Sequence, residues 1–118
     1  MVTKEEVRAG MEKVVERIND YGPDMLDVSG EPKVGMITED LDIGWLITFG
    51  ADGRVKECKE TMNMEEAKAV IMTNGQALVD IIYGKADPVE LYSAGSLRFK
   101  GDAIVLQQYI FPFITPRE

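Results

Sequence analysis

The side chains that carry out most enzymatic chemistry are scarce in this sequence and poorly spaced for it. Histidine, whose imidazole titrates nearest neutrality, does not occur among the 118 residues, so the usual general acid or base is missing. No serine stands in a Gly-x-Ser-x-Gly elbow, which leaves a hydrolytic triad improbable. Neither Gly-x-Gly-x-x-Gly nor a phosphate loop ending in Lys-Ser or Lys-Thr occurs, so nucleotide binding has no support. The one cysteine, Cys58, is set among Glu57, Lys59 and Glu60, and acidic neighbours oppose the thiolate that a nucleophile needs. It reads as inert, and alone it permits neither an internal disulfide nor a cysteine metal cluster. Carboxylates supply what chemistry remains. Glu5, Glu12 and Glu16 share a helix face with Lys13 and Arg17, the mixture of a solvated face rather than a catalytic pair. Asp40-x-Asp42-x-Gly44 resembles the start of a calcium loop but lacks the third carboxylate and the closing Glu. It reads as a charged strand entrance, with no metal and no cofactor expected. An enzyme using Asp or Glu stays open as a further alternative, because burial raises a carboxyl pKa toward neutrality without any histidine.

Composition narrows the partners. A net charge of -8 repels nucleic-acid phosphates and anionic headgroups within a Debye length, and no basic run interleaved with aromatics offsets it. Nucleic acid is excluded on this reading, and membrane contact is expected to be transient. The chain is 45% hydrophobic and 29% charged, which argues for a folded domain rather than disorder. Its apolar runs fall short of the roughly 20 residues that span a bilayer. One domain over residues 1–118, large enough for a real core, is the expectation. The start, Met1 followed by Val-Thr-Lys-Glu-Glu, lacks the apolar stretch of a secretory signal, and the terminal Thr-Pro-Arg-Glu is no peroxisomal address. Cytoplasm is the expected location, in keeping with a lone cysteine.

Periodicity indicates which elements hold these residues. Thr3 and Glu6 form a capping box before Val7, Met11, Val14, Val15 and Ile18, whose spacing predicts an amphipathic helix. Tyr21-Gly22-Pro23-Asp24 should end it. Residues 25–32 show no clear pattern, and Lys33 to Thr38 is expected as a short first strand. Leu41, Ile43, Trp45, Ile47 and Phe49 alternate strictly with Asp42, Gly44, Leu46 and Thr48, which predicts the strongest strand, placed centrally. Asp52-Gly53 signals a hairpin, and the Lys and Glu load of Val55 to Glu60 suits an antiparallel edge strand. Between Asn63 and Met72, helix and strand compete: Asn63 and Glu66 suit a helix start, Ala69-Val70-Ile71-Met72 a buried strand. Thr73 with Gln76 predicts a capping box for a helix in which Asp80 is nearly the only polar residue. That apolar arc is wider than packing on a sheet requires. Either the helix is wedged between the sheet and a neighbouring helix, or its second side faces an apolar cavity.

The most punctuated stretch runs from Gly84 to Asp102. Gly84 stops the preceding helix, and Asp87 followed by Pro88 is an N-cap with proline at the first helical position. That short helix runs through Leu91, Tyr92 and Ala94 to Gly95; Ser96 to Lys100 then alternates as a strand with Leu97 and Phe99 on one face. Gly101-Asp102 closes it and caps a segment, Ala103 to Ile110, with helical apolar spacing. The apolar end that follows, Phe111, Pro112, Phe113 and Ile114, must be covered as core, as a lid or as a dimer contact.

The order Gly-Lys-x-Asp-Pro, short helix, Gly, x-Leu-x-Phe-x-Gly-Asp and apolar helix resembles the C-terminal half of sterol carrier protein-2-like (SCP2-like) domains. The likeness extends upstream through Ala69 to Thr73, where it favours the strand, and more loosely to the hairpin at Asp52-Gly53. It implies an α+β fold with one mixed sheet of about five strands covered by helices, in the order helix, three strands, crossing strand, helices, strand, helix. It also implies an apolar tunnel for fatty acyl chains, sterols or other lipids, and it does not imply an enzyme. The expected function is non-covalent binding, with possible transfer, of an elongated apolar ligand. The expected cavity wall comprises Trp45 and Ile47 on the strongest strand, Leu78, Ile81 and Ile82 on the wide-arc helix, and Leu91 and Tyr92 on the short helix. Leu97, Phe99, Leu106 and Tyr109 complete it. The alternative is a filled domain serving as an interaction or homodimerisation module, with the apolar run at Phe111 to Ile114 as its contact.

Overall fold

The computed structural model describes residues 2–116. Met1, Arg117 and Glu118 lie outside them, and with them part of the two ends read above for address signals. The elements follow in the order α1 (Lys4–Met25), β1 (Lys33–Thr38), β2 (Ile43–Phe49), β3 (Val55–Glu60), β4 (Ala69–Thr73), α2 (Gly75–Ile82), α3 (Pro88–Ser93), β5 (Leu97–Gly101), α4 (Ala103–Tyr109) and α5 (Phe111–Ile114). The strands form one sheet in the order β3-β2-β1-β4-β5. β1 pairs antiparallel with β2 and parallel with β4, and the outer pairs are antiparallel. This is a mixed α+β fold. Among the described residues no helix is long and apolar enough to cross a membrane.

Register puts Val34, Met36, Trp45, Ile47, Ile71 and Leu97 on one side of the sheet, where they join Val7, Met11, Val14 and Ile18 of α1 in the core. Fully burying such a side chain contributes about 1.5–3 kcal/mol. The segment between β3 and β4 crosses the opposite side. Two glycines make room for it: a Cβ on Gly35 would lie 2.3 Å from the Met64 sulfur, and one on Gly44 would lie 2.9 Å from the Thr61 carbonyl oxygen.

Three local expectations are corrected. α1 does not stop at Tyr21 but runs through Gly22 and Pro23 to Met25. Gly22 serves a contact there, since a Cβ on it would sit 2.0 Å from the carbonyl oxygen of Gly53 in the β2–β3 turn. Pro23 lies in the last turn, where it forgoes the one bond its N–H would have made to the Asn19 carbonyl, and Leu26 closes the helix with N–H to Gly22 O at 2.8 Å. β2 is not the central strand, although every residue in it is buried; the middle place belongs to β1 because the crossover adds β4 on its free side. The cap of α2 is Asn74, which accepts from the Ala77 amide at 2.8 Å. Thr73 instead donates to the Ser96 carbonyl at 2.8 Å, joining β4 to the entrance of β5, and Gln76 donates to Asp80.

Candidate functional site

The C-terminal third of the chain builds an apolar cavity of about 400 Å3 between α3, β5 and the end of α5. Its walls are Pro88, Val89, Tyr92, Leu97, Phe99 and Phe111, with Asp87 and Thr115 as the polar members. Each is placed by local chemistry. Gly84 turns the chain out of α2 at φ 79°, a left-handed conformation that suits glycine. Asp87 caps α3 by accepting from the Val89 amide at 2.9 Å, and Pro88 begins the helix. Gly95, at φ 81°, turns the chain again, and the Ser96 amide donates to Leu91 O at 2.9 Å. Alternation in β5 then brings Leu97 and Phe99 to the helix side. The ring of Tyr92, half-exposed, stacks on Phe99 with centroids 5.3 Å apart and planes at 28°. Phe113 and Ile114 are fully buried and anchor α5 in the core, which leaves Phe111 and Thr115 on the cavity.

Arg17 fastens this arrangement to α1. Its guanidinium donates to Ile82 O at 2.8 Å, Ile114 O at 3.3 Å and Phe113 O at 3.4 Å. These carbonyls belong to helix-terminal residues, where such groups lack intrahelical partners and attract a cation.

A second cleft, about 410 Å3, lies between α1 and the β2–β3 side of the sheet, lined by Met11, Val15, Trp45 and Cys58 with Arg8, Glu12 and Glu60. Arg8 and Glu60 pair there through two bonds of 2.8 and 3.1 Å, which hold the Glu60 carboxyl below the usual range. Burial first, and the charge of Glu60 second, push the Cys58 thiol up to about 11. A thiol held protonated is no nucleophile at neutral pH. Among the described residues no group of three or more Cys, Asp or Glu side chains is placed to hold a metal ion.

Of the residues expected to line a cavity, Tyr92, Leu97 and Phe99 come together in the first one. Leu91 packs half-buried against the core, and Trp45 lines the second cleft. Ile47, Leu78, Ile81, Ile82 and Leu106 lie in the core, at most 1% exposed. Tyr109 packs its ring 5.0 Å from that of Phe49. α2 packs on α1: a Cβ on Gly10 of α1 would meet Ile82 Cδ1 at 3.0 Å. Pro88, Val89 and Phe111 were visible in the sequence as a helix start and an apolar end, yet nothing in their spacing marked them as walls of one cavity.

The family model described as the SCP-2 sterol transfer family matches residues 13–113. Among curated proteins none matches. Among solved structures, 99% of the chain superposes on part of a double mutant of the sec-alkyl sulfatase PisA1, an enzyme of Pseudomonas sp., with TM-score 0.74 and 16% identity. It spans 17% of that enzyme's chain. It also resembles sterol carrier protein 2 (TM-score 0.63, 16% identity, 92% of this chain and 87% of that one). A palmitated sterol carrier protein 2-like protein from Aedes aegypti gives TM-score 0.63 and 13% identity over 90% of this chain and 89% of the other. At these identities the likeness to the solved structures is one of fold.

Proposed function

The chain belongs to the SCP-2 sterol transfer family, and we propose that it binds an elongated apolar ligand without covalent chemistry, in the cavity between α3, β5 and α5. The observation that carries this reading is the wall itself: six apolar residues from three elements meet around about 400 Å3, within the range of small-molecule sites. The palmitated relative supports a fatty acyl chain as one occupant class. Each methylene removed from water contributes about 0.8 kcal/mol, so about ten suffice for micromolar affinity after ordering costs.

Denaturing extraction of the purified protein followed by mass spectrometry should release a lipid. Displacement of an uncharged fluorescent lipid should in addition weaken about tenfold in Tyr92→Asn, which removes a ring from the wall. Because Tyr92 is 53% exposed, the variant should melt near the parent temperature. An empty extract together with no probe binding by the parent chain refutes the proposal.

A further inference from the structure

The one charged residue among the described cavity walls is an acid, Asp87. Resting on the reading of this cavity as the ligand site, we propose that it selects apolar ligands whose head group is uncharged or cationic and donates a hydrogen bond, and disfavours those ending in a free carboxylate. A carboxylate only accepts hydrogen bonds, and a threonine hydroxyl both donates and accepts, so Asp87 and Thr115 together match a hydroxyl or an amine. An anionic head would seek a backbone donor, but the Val89 amide already donates to Asp87 Oδ1 at 2.9 Å. Glu90, exposed and three residues along the same helix, adds negative charge to this end of the molecule.

The cations of the surrounding elements are directed elsewhere. Leu97 and Phe99 face the cavity, so alternation turns Arg98 and Lys100 to the opposite side of β5, where Arg98 pairs with Glu39. Arg17 is turned to the carbonyls of Ile82, Phe113 and Ile114. Lys85, in the turn before Asp87, is exposed and is no part of the wall.

Dodecanol, dodecylamine and dodecanoate share a tail and differ at the head, and the probe is an uncharged fluorescent lipid displaced from the full chain at pH 7 and low salt. The alcohol should displace it at a concentration about fivefold below the acid, the ratio expected for one unit charge near contact in water, and the amine at about 25-fold below, since it replaces repulsion by attraction. Asp87→Asn keeps a capping oxygen, so it should leave the melting temperature near the parent's while drawing dodecanoate about fivefold closer to dodecanol. Dodecanoate binding the parent chain as tightly as dodecanol, or a ratio unmoved by Asp87→Asn, overturns the selectivity and leaves the ligand site standing. If neither the probe nor any of the three binds, the ligand site and its selectivity fall together.

Discussion

Cys58 couples stability to pH in a direction opposite to that of a paired carboxylate. Its thiol, ordinarily near 9.0, is raised to about 11 mainly by burial, so the fold favours the neutral form. The stability this contributes is complete below about pH 9 and is lost as pH rises through 11. The side chain is partly exposed, and solvent screening reduces the effect to roughly 1 kcal/mol. Urea unfolding at pH 8 and pH 11 should therefore show the gap between the parent and Cys58→Ala shrinking by about that amount; a gap independent of pH would mean the thiol is not displaced. The acidic neighbours of Cys58 made an inert thiol legible in the sequence, but they are the smaller cause. Desolvation depends on how β3 lies against the core, which no neighbouring residue reveals. The same limit separates the cavity residues. Tyr92, Leu97 and Phe99 are positioned by a cap, a glycine stop and strand alternation, all local signals. Ile82 and Leu106 are as apolar as any of these, yet tertiary packing places them in the core.

At the scale of elements, caps and alternation were readable, and breakers were misleading. Gly22-Pro23 has the composition of a helix end, whereas Gly22 is the site at which α1 touches the β2–β3 turn; the Asn19 carboxamide beside it accepts from the Val55 amide at 2.9 Å. Alanine is the better helix former by about 1 kcal/mol, so Gly22→Ala would stabilise a helix with nothing against it. Here its methyl would lie 2.0 Å from Gly53 O, and the turn would have to move at a cost of about 1–3 kcal/mol. A thermal melt should show the variant several degrees below the parent; a rise instead would mean that the two glycines do not touch. The helix–strand competition before β4 had a similar source, because a short apolar run fits either element until its neighbours are known. Pairing with β1 on one side and β5 on the other makes it a strand.

For the molecule as a whole, the apolar C-terminal end decides how the fold is completed. The chain itself covers much of that run: Ile110, Phe113 and Ile114 have no exposure, and Tyr109 has 8%. Pairing two copies is thus not needed to hide Phe113 and Ile114. A chain ending at Gln108 forfeits these four buried side chains at about 1.5–3 kcal/mol each, together with two of the three carbonyls that hold Arg17. That sum is comparable to the whole stability of a domain, so the truncated chain should lose its cooperative melt, whereas sharp two-state melting would show that α5 is dispensable. The order of elements along the chain was expected from the family resemblance, but the place of β1 in the middle of the sheet was not, since nothing local in β1 announces that a parallel partner will arrive from residues 69–73.

Within this domain the cavity also takes shape after the first four strands have been made. Its walls begin at Asp87 and close only with Thr115, whereas α1, which ties down α5 through Arg17, precedes them in the chain. A growing chain that folds from its N terminus can join β1, β2 and β3 while no cavity yet exists, and only the part of α1 that meets α2 and α5 still waits for its cover. A ligand bound there as proposed would therefore enter only after α3, β5 and α5 have come together.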